Sequence, residues 1–347
     1  MKNRRVFLKQ TAIAAAATIL PNTGFSQNTE IKTLKAKRLK KGDTIGIIAP
    51  GYGLSKDTLE SVFKTVRSMG FVPYYTNRLY KNHGYFSNTD KERAADLNEM
   101  FANPKVDGIL CARGGYGCTR ILQFMDFDAI KNNPKVFIGF SDVTALLNPI
   151  YQQTGLVGFH GPVGTTLNNT FSQKWLKKLV MKNKTPFKLR NTTSKLAKEN
   201  INPEFEQYCI YPGKAGGVLV GGSLTLITAL LGTPYEIDFT NKLIFIEEIE
   251  EAPYRIDRML TQLLGSTTFS NAAGIILGIF KGCDRPKDKT NFTLKEVLID
   301  RLSPLKIPVA YGFSFGHISQ NLTIPTGIKA SFNAEKISLA LQENTVI

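Results

Sequence analysis

Cysteine and histidine are both scarce in this chain of 347 residues, with four of the first and three of the second. Cys111, Cys118, Cys209 and Cys283 show no C-x-x-C spacing and no pairing with histidine in a metal-ligand pattern. That excludes a sequence-legible zinc site or disulfide framework, and free thiols are expected. Cys111, inside an apolar stretch, reads as a small core hydrophobe. The phosphate-loop pattern G-x-x-x-x-G-K-[ST] is missing, and Gly51-Tyr-Gly53 is not completed to G-x-G-x-x-G. Nucleotide binding is therefore rejected and no cofactor is expected. There is no internal repeat and no low-complexity tract. Beyond the N-terminus no apolar run is long enough to span a bilayer. Acidic residues are outnumbered 28 to 44 by Lys and Arg, for a formal charge of +16. The basic residues are scattered and no nucleic-acid motif accompanies them, so a nucleic-acid partner is not expected. A basic surface also suits an anionic peptide with several carboxylates.

The N-terminus has the anatomy of a signal peptide. Lys2, Arg4, Arg5 and Lys9 precede the apolar run Thr11–Leu20, and Pro21 and small residues follow. That run is too short for a membrane-spanning helix. The paired arginines followed by Val-Phe-Leu-Lys look like a twin-arginine signal. The expectation is a leader over residues 1–26, cut near Ser26-Gln27, an exported and periplasmic mature protein, and no stable membrane span after processing.

The remaining length and ordinary composition, 42% hydrophobic and 21% charged, leave room for two domains. Residues 34–167 alternate apolar β-rich runs with amphipathic segments, which argues a Rossmann-like parallel sheet with helices on both faces. The expected strands are Asp43–Pro50, Phe71–Thr76, Asp107–Arg113 and the run ending before Ser141. The expected helices are Lys56–Met69, Thr89–Phe101, Thr119–Met125 and Asp142–Gln152, the last bent by Pro149. Residues 168–214 turn polar and read as a connecting region with some ordered pieces. Residues 215–345 read as a smaller, mixed α/β C-terminal domain rich in strands. Within it, Pro253–Leu264 and Leu294–Leu302 are expected as helices and Ala272–Phe280 as a strand.

The most informative stretch is Lys135-Val-Phe-Ile-Gly-Phe-Ser141-Asp-Val-Thr144. A buried strand runs into a helix, with Ser141 at the junction and Gly139 two residues before it. Such a turn pushes a hydroxyl clear of the sheet and aims helix-start N–H groups at a developing oxyanion. By themselves these residues describe an ordinary helix N-cap, and the full G-x-S-x-G pattern is not met. Two downstream strands end in matching chemistry. Leu243-Ile-Phe-Ile-Glu247-Glu248 ends in carboxylates, and Tyr311-Gly-Phe-Ser-Phe-Gly-His317 ends in an imidazole. Ser, acid and His in that order, each at a strand end, is the order of the α/β-hydrolase triad. Singly, Glu247 reads as a solvated acid in an acidic run and His317 as a loop histidine; three coincidences at strand ends shift that balance. Cys118, after a strand and a glycine turn, offers a rival nucleophile, although Tyr116 stands where that turn would need glycine.

Eight segments, in order, resemble the LD-carboxypeptidase family of serine peptidases. They are Gly42–Pro50, Arg113-Gly-Gly-Tyr-Gly117, Ile138–Thr144, Phe159-His-Gly-Pro162, Gly221-Gly-Ser-Leu-Thr225, Phe245-Ile-Glu-Glu248, Ala252–Arg258 and Gly312-Phe-Ser-Phe-Gly-His317. The resemblance runs from about Leu34 to the C-terminus. It implies a Ser-Glu-His triad at Ser141, Glu247 and His317, and a main-chain oxyanion hole at Gly115 and Asp142. It implies a murein tetrapeptide as substrate, with terminal D-alanine released by cleavage of an L,D bond. An immunity-type hydrolase acting on a peptide-nucleotide antibiotic is the family's alternative activity. A non-catalytic peptidoglycan-binding protein is the non-enzymatic alternative. A homodimer is an expectation carried by the resemblance alone. Phe140, Cys118 and Ser223 stand where the family often has Tyr, Ser and Asn; these departures bear on substrate detail rather than on the reaction.

Overall fold

In chain order the elements are β1 (Thr44–Ile48), α1 (Lys56–Ser68), β2 (Val72–Tyr74), α2 (Asp90–Ala102), β3 (Gly108–Cys111), α3 (Cys118–Ile121), α4 (Phe127–Asn132), β4 (Val136–Gly139), α5 (Thr144–Thr154), β5 (Gly158–His160), α6 (Thr170–Met181), β6 (Phe187–Lys188), β7 (Tyr208–Tyr211), β8 (Lys214–Ser223), α7 (Leu224–Ala229), β9 (Lys242–Ile249), α8 (Pro253–Leu264), β10 (Gly274–Lys281), α9 (Leu294–Leu302), β11 (Val309–Gly316), β12 (Ile324–Thr326), β13 (Lys329–Asn333) and β14 (Ser338–Leu341). This computed structural model describes residues 31–182, 185–189, 191, 203–284 and 291–347. The expected leader at 1–26 lies outside the described residues, as does part of the expected connection at 168–214.

Two sheets organise the protein. The first has six strands in the order β12-β5-β4-β3-β1-β2. Its strands β5, β4, β3, β1 and β2 pair in parallel, and only β12 joins antiparallel, against β5. Alternation along each strand sorts side chains to two faces. Leu110, Val136 and Ile138 pack with Leu59, Phe63 and Val66 of α1 and with Trp175 and Leu179 of α6. Ile109, Cys111 and Phe137 pack instead with Leu97 and Met100 of α2 and with Leu146 and Ile150 of α5. Helices therefore cover both faces, as parallel sheets require.

The second sheet has eight strands in the order β6-β14-β13-β8-β9-β10-β11-β7. Its centre, β8 to β11, is parallel, and the flanking strands are antiparallel. Leu219, Phe245, Ile276 and Phe315 of this sheet share one core cluster with Ile47 and Phe159 of the first. Thr33–Ile347 forms a single compact unit.

Local chemistry explains several helix starts. Ser55, Thr89 and Thr293 cap α1, α2 and α9 by accepting backbone N–H groups, and Thr293 with Glu296 completes a capping box. Pro149 sits inside α5. The polar stretch 168–214 contains α6, whose Trp175, Leu176 and Leu179 are buried against the first sheet. Strand β12 leaves the C-terminal portion of the chain to pair with β5, at Ile324↔His160 and Thr326↔Gly158.

Candidate active site

Strand β4 is buried along its whole length. Phe140 continues it in extended conformation, and Ser141 then takes φ 61°, the left-handed region, at the start of a 3-10 turn that feeds α5. For a side-chain-bearing residue this costs about 1–3 kcal/mol, and such strain concentrates at functional sites. The tightness of the turn explains Gly139: a Cβ there would lie 2.6 Å from Val143 Cγ1.

A second backbone turn closes on the serine. A Cβ at Gly114 would lie 3.3 Å from Ser141 Oγ, so this glycine lets main chain approach the hydroxyl. Gly115 adopts φ 112° and rests against Tyr52, whose ring would stand 2.5 Å from an added Cβ. The Gly115 N–H makes no hydrogen bond among the described residues. Asp142 ties the two turns together. Its buried carboxylate accepts the Cys118 N–H at 2.8 Å, the first N–H of α3. Burial raises the Asp142 pKa above its ordinary value, partly offset by the hydrogen bonding from Cys118.

Arg93, missed in the sequence, braces this turn from below. It is 2% exposed, donates to the carbonyls of Pro50 and Gly117, pairs with Asp90 and stacks on Phe86. The available signal was a cation beside Ala94 and Leu97 on the apolar side of an amphipathic helix. Cys118 is wholly buried, and burial with the nearby Asp142 pushes its thiol far from thiolate formation. A buried neutral thiol is not a nucleophile, which removes the rival reading. All four cysteines are free thiols. Among the described residues no group of three His, Cys, Asp or Glu side chains is arranged to hold a metal.

The carboxylate and imidazole come from the second sheet. Glu247 lies on β9 with no solvent exposure, and its Oε2 is 2.8 Å from His317 Nδ1. His317 follows β11 directly after Gly316, whose φ of 116° turns the chain beside that carboxylate. Burial disfavours the charged imidazole, but the Glu247 charge and hydrogen bond, with Glu248 and Glu250 behind, raise its pKa overall. Burial likewise works against ionised Glu247, yet His317 and His160 hold its pKa below the ordinary value. Neighbouring Glu248 is pushed up to about 7 by burial and by Glu247.

The serine turn and the imidazole meet through Phe140, whose ring lies 4.7 Å from that of His317. No hydrogen bond joins Ser141 Oγ to His317 among the described residues. Helix α5 fixes the relation of the two sheets. Asn148 donates to Gly221 O at 2.9 Å and accepts from Gly221 N–H at 3.0 Å. Thr144 Oγ1 accepts the Ser223 N–H at 3.1 Å, and Ser223 stands opposite Glu247 in the sheet register.

A serine on a strained strand-to-helix turn, a glycine-lined main-chain turn against it and a buried carboxylate–imidazole pair are the parts from which serine hydrolases are built. The chain belongs to the LD-carboxypeptidase family: the family's N-terminal domain matches residues 45–161 and its C-terminal domain residues 216–332. It is similar to a probable murein peptide carboxypeptidase of Bacillus subtilis, with 41% identity over 306 residues, 88% of this chain and 93% of that one. It is also similar to the microcin C7 self-immunity protein MccF of Escherichia coli, with 30% identity, 89% of this chain and 96% of the other. Its fold matches the crystal structure of a muramoyltetrapeptide carboxypeptidase from Oxalobacter formigenes with TM-score 0.74 and 26% identity, over 87% of this chain and 99% of that one. Family and relatives together make this chain a peptidase of the carboxypeptidase kind.

Proposed function

We propose that this peptidase is a serine LD-carboxypeptidase that removes terminal D-alanine from murein tetrapeptides. The observation that carries the reading is the 2.8 Å hydrogen bond between buried Glu247 and His317, beside a serine held at positive φ. His317 Nδ1–H to Glu247 leaves Nε2 unprotonated, as a general base needs. Closure of the Ser141–His317 contact on substrate binding lets that nitrogen take the hydroxyl proton. Ser141 Oγ then attacks the carbonyl of the residue that precedes the terminal D-amino acid. The N–H groups of Gly115 and Asp142 receive the oxyanion, and Glu247 stabilises the imidazolium. Proton return from His317 expels the D-amino acid, and water repeats the sequence to free Ser141.

Bond choice follows from geometry. Inverting the centre that carries the attacked carbonyl exchanges its side chain and hydrogen, so the carbonyl no longer meets both the nucleophile and the oxyanion donors. The reading extends to an exported, periplasmic enzyme with the first 26 or so residues removed, on the leader-like sequence, and to a homodimer, on the family resemblance. Tetrapeptide and pentapeptide muropeptides offered side by side, with free D-alanine followed by mass spectrometry, test it. Release from the tetrapeptide alone is expected, and equal release from both would sink the L,D assignment. The likeness to the self-immunity protein favours one second reading, hydrolysis of a peptide-nucleotide antibiotic. Cleavage of that compound without cleavage of muropeptides would select it.

A further inference from the structure

His160 closes β5 and pairs in register with Gly139 on one side and Ile324 on the other, two residues from Ser141. Its ring is completely buried and walled by Phe140 and Phe245 at centroid distances of 6.0 and 5.3 Å. Among the described residues neither ring nitrogen has a hydrogen-bond partner, and neither does Oε1 of Glu247. Those orphaned groups face each other, with His160 Nε2 3.7 Å from Glu247 Oε1. Buried polar groups are rarely left unpaired, because each lost partner forfeits its hydration without return. A shift of roughly 0.8 Å brings the pair to the usual ~2.9 Å hydrogen-bond separation.

We propose that His160 is a positioning residue of this site: its Nε2–H hydrogen-bonds Glu247 Oε1, so that one carboxylate is held between two imidazoles. The titratable groups facing it are Glu247 on β9 and His317 beyond β11. Burial lowers the His160 pKa to about 4, with the Glu247 charge opposing and the His317 ring adding to the shift. His160 therefore stays neutral while the site works, with one N–H to give. Donation to Oε1 leaves Oε2 turned toward His317 Nδ1, which fixes the tautomer that presents Nε2 to the serine. The first sheet thus contributes to both ends of the relay, the nucleophile through β4 and the carboxylate's second anchor through β5.

The inference rests on the serine-peptidase reading, and its test separates the two. His160→Gln puts an amide N–H where Nε2 stands; His160→Phe keeps the volume and removes the donor. On murein tetrapeptide, the Gln variant should stay within about tenfold of the parent, and the Phe variant should lose roughly ten- to hundredfold in kcat with little change in KM, the range typical of outer partners that orient a reacting group. The acid limb of the Phe variant's pH profile should move upward, because no N–H dipole then offsets the Glu247 charge. A Phe variant as active as the parent, or equal losses in both variants with an unmoved acid limb, overturns the proposal. Should a variant fail to fold, 1H–15N correlation of the parent's histidine rings decides. A neutral Nε2–H tautomer for His160 from about pH 5 to about pH 8 is expected, and an Nδ1–H tautomer or a titration in that range overturns it. The spectrum does not depend on turnover. A parent protein that cleaves no muropeptide refutes the peptidase reading while the spectrum still reports on the His160–Glu247 pair.

Discussion

At the scale of single residues, Glu247 and His317 stabilise one another's charged forms inside a site that would otherwise disfavour both. The consequence is opposed pH dependences. The ordinary histidine value is 6.5, and the folded value of His317 lies above it. As long as Glu247 is ionised, stability from the imidazolium–carboxylate pair is therefore fully present below 6.5 and is lost as pH rises through the folded pKa of His317. Activity has the opposite sign, because only the neutral imidazole accepts a proton. We expect kcat/KM to rise through an acid limb centred above 6.5. In urea titrations at a series of pH values, the stability gap between the parent and His317→Gln should shrink as pH rises. A gap that widens with pH would contradict the assigned direction.

The three residues assigned to catalysis act as a unit in this reading. Ser141→Ala should lower kcat by on the order of 10⁴-fold or more, and Ser141→Ala/His317→Ala should be little worse than Ser141→Ala alone. Purified variants assayed with matched far-UV spectra provide the measurement, and additive losses in log rate would count against a shared mechanism. Cys118→Ser should keep most activity, because that thiol is buried and far from ionisation.

At the scale of elements, the hinge of the design is α5 against β8. Gly221 and Gly222 run at φ of 135° and 140°, and a Cβ at Gly222 would sit 2.4 Å from Thr144 Oγ1. The Asn148 side chain satisfies both backbone groups of Gly221, so the helix that starts at the serine turn is docked on the strand beside Glu247. Asn148→Ala leaves a buried N–H and a buried carbonyl without partners, for a cost of about 2–4 kcal/mol. Because that docking sets the approach of Ser141 to His317, kcat should fall as well. Chemical denaturation together with steady-state kinetics checks both halves, and a variant of unchanged stability would refute the bridging role.

At the scale of the whole molecule, one core cluster runs from α1 and α6 through the first sheet to the inner face of the second. Strand β12 and helix α6, both supplied from beyond residue 167, complete the first sheet and its cover. A fragment of residues 34–167 should therefore fail to fold on its own, read as an unfolded far-UV spectrum and collapsed amide dispersion. In the intact protein the single tryptophan, Trp175, lies within that shared cluster. Its fluorescence and the far-UV signal should melt at one midpoint, as cooperative unfolding requires. Two separated midpoints would show that the sheets unfold independently.

Local order was determined by the sequence to within a residue or two over much of the chain. The apolar runs of β1, β3 and β4, the helices Pro253–Leu264 and Leu294–Leu302, and a serine and a histidine just past strand ends were legible, because periodicity and capping residues report directly on burial and on chain direction, whereas Glu247 lies two residues inside β9 rather than at its end. Short strands such as β5 and β7 and the helix α4 were not, since two to six residues carry too little periodicity to register. The partners of the site's polar groups were decided only by tertiary structure. That Asp142 caps α3, that Asn148 grips Gly221, that Arg93 underlies the glycine turn and that His160 faces Glu247 are contacts between segments about 24 to 87 residues apart. A sequence pattern shows which side of an element is buried; what it is buried against depends on how distant segments pack, and that is where the pairing of each buried charge is set.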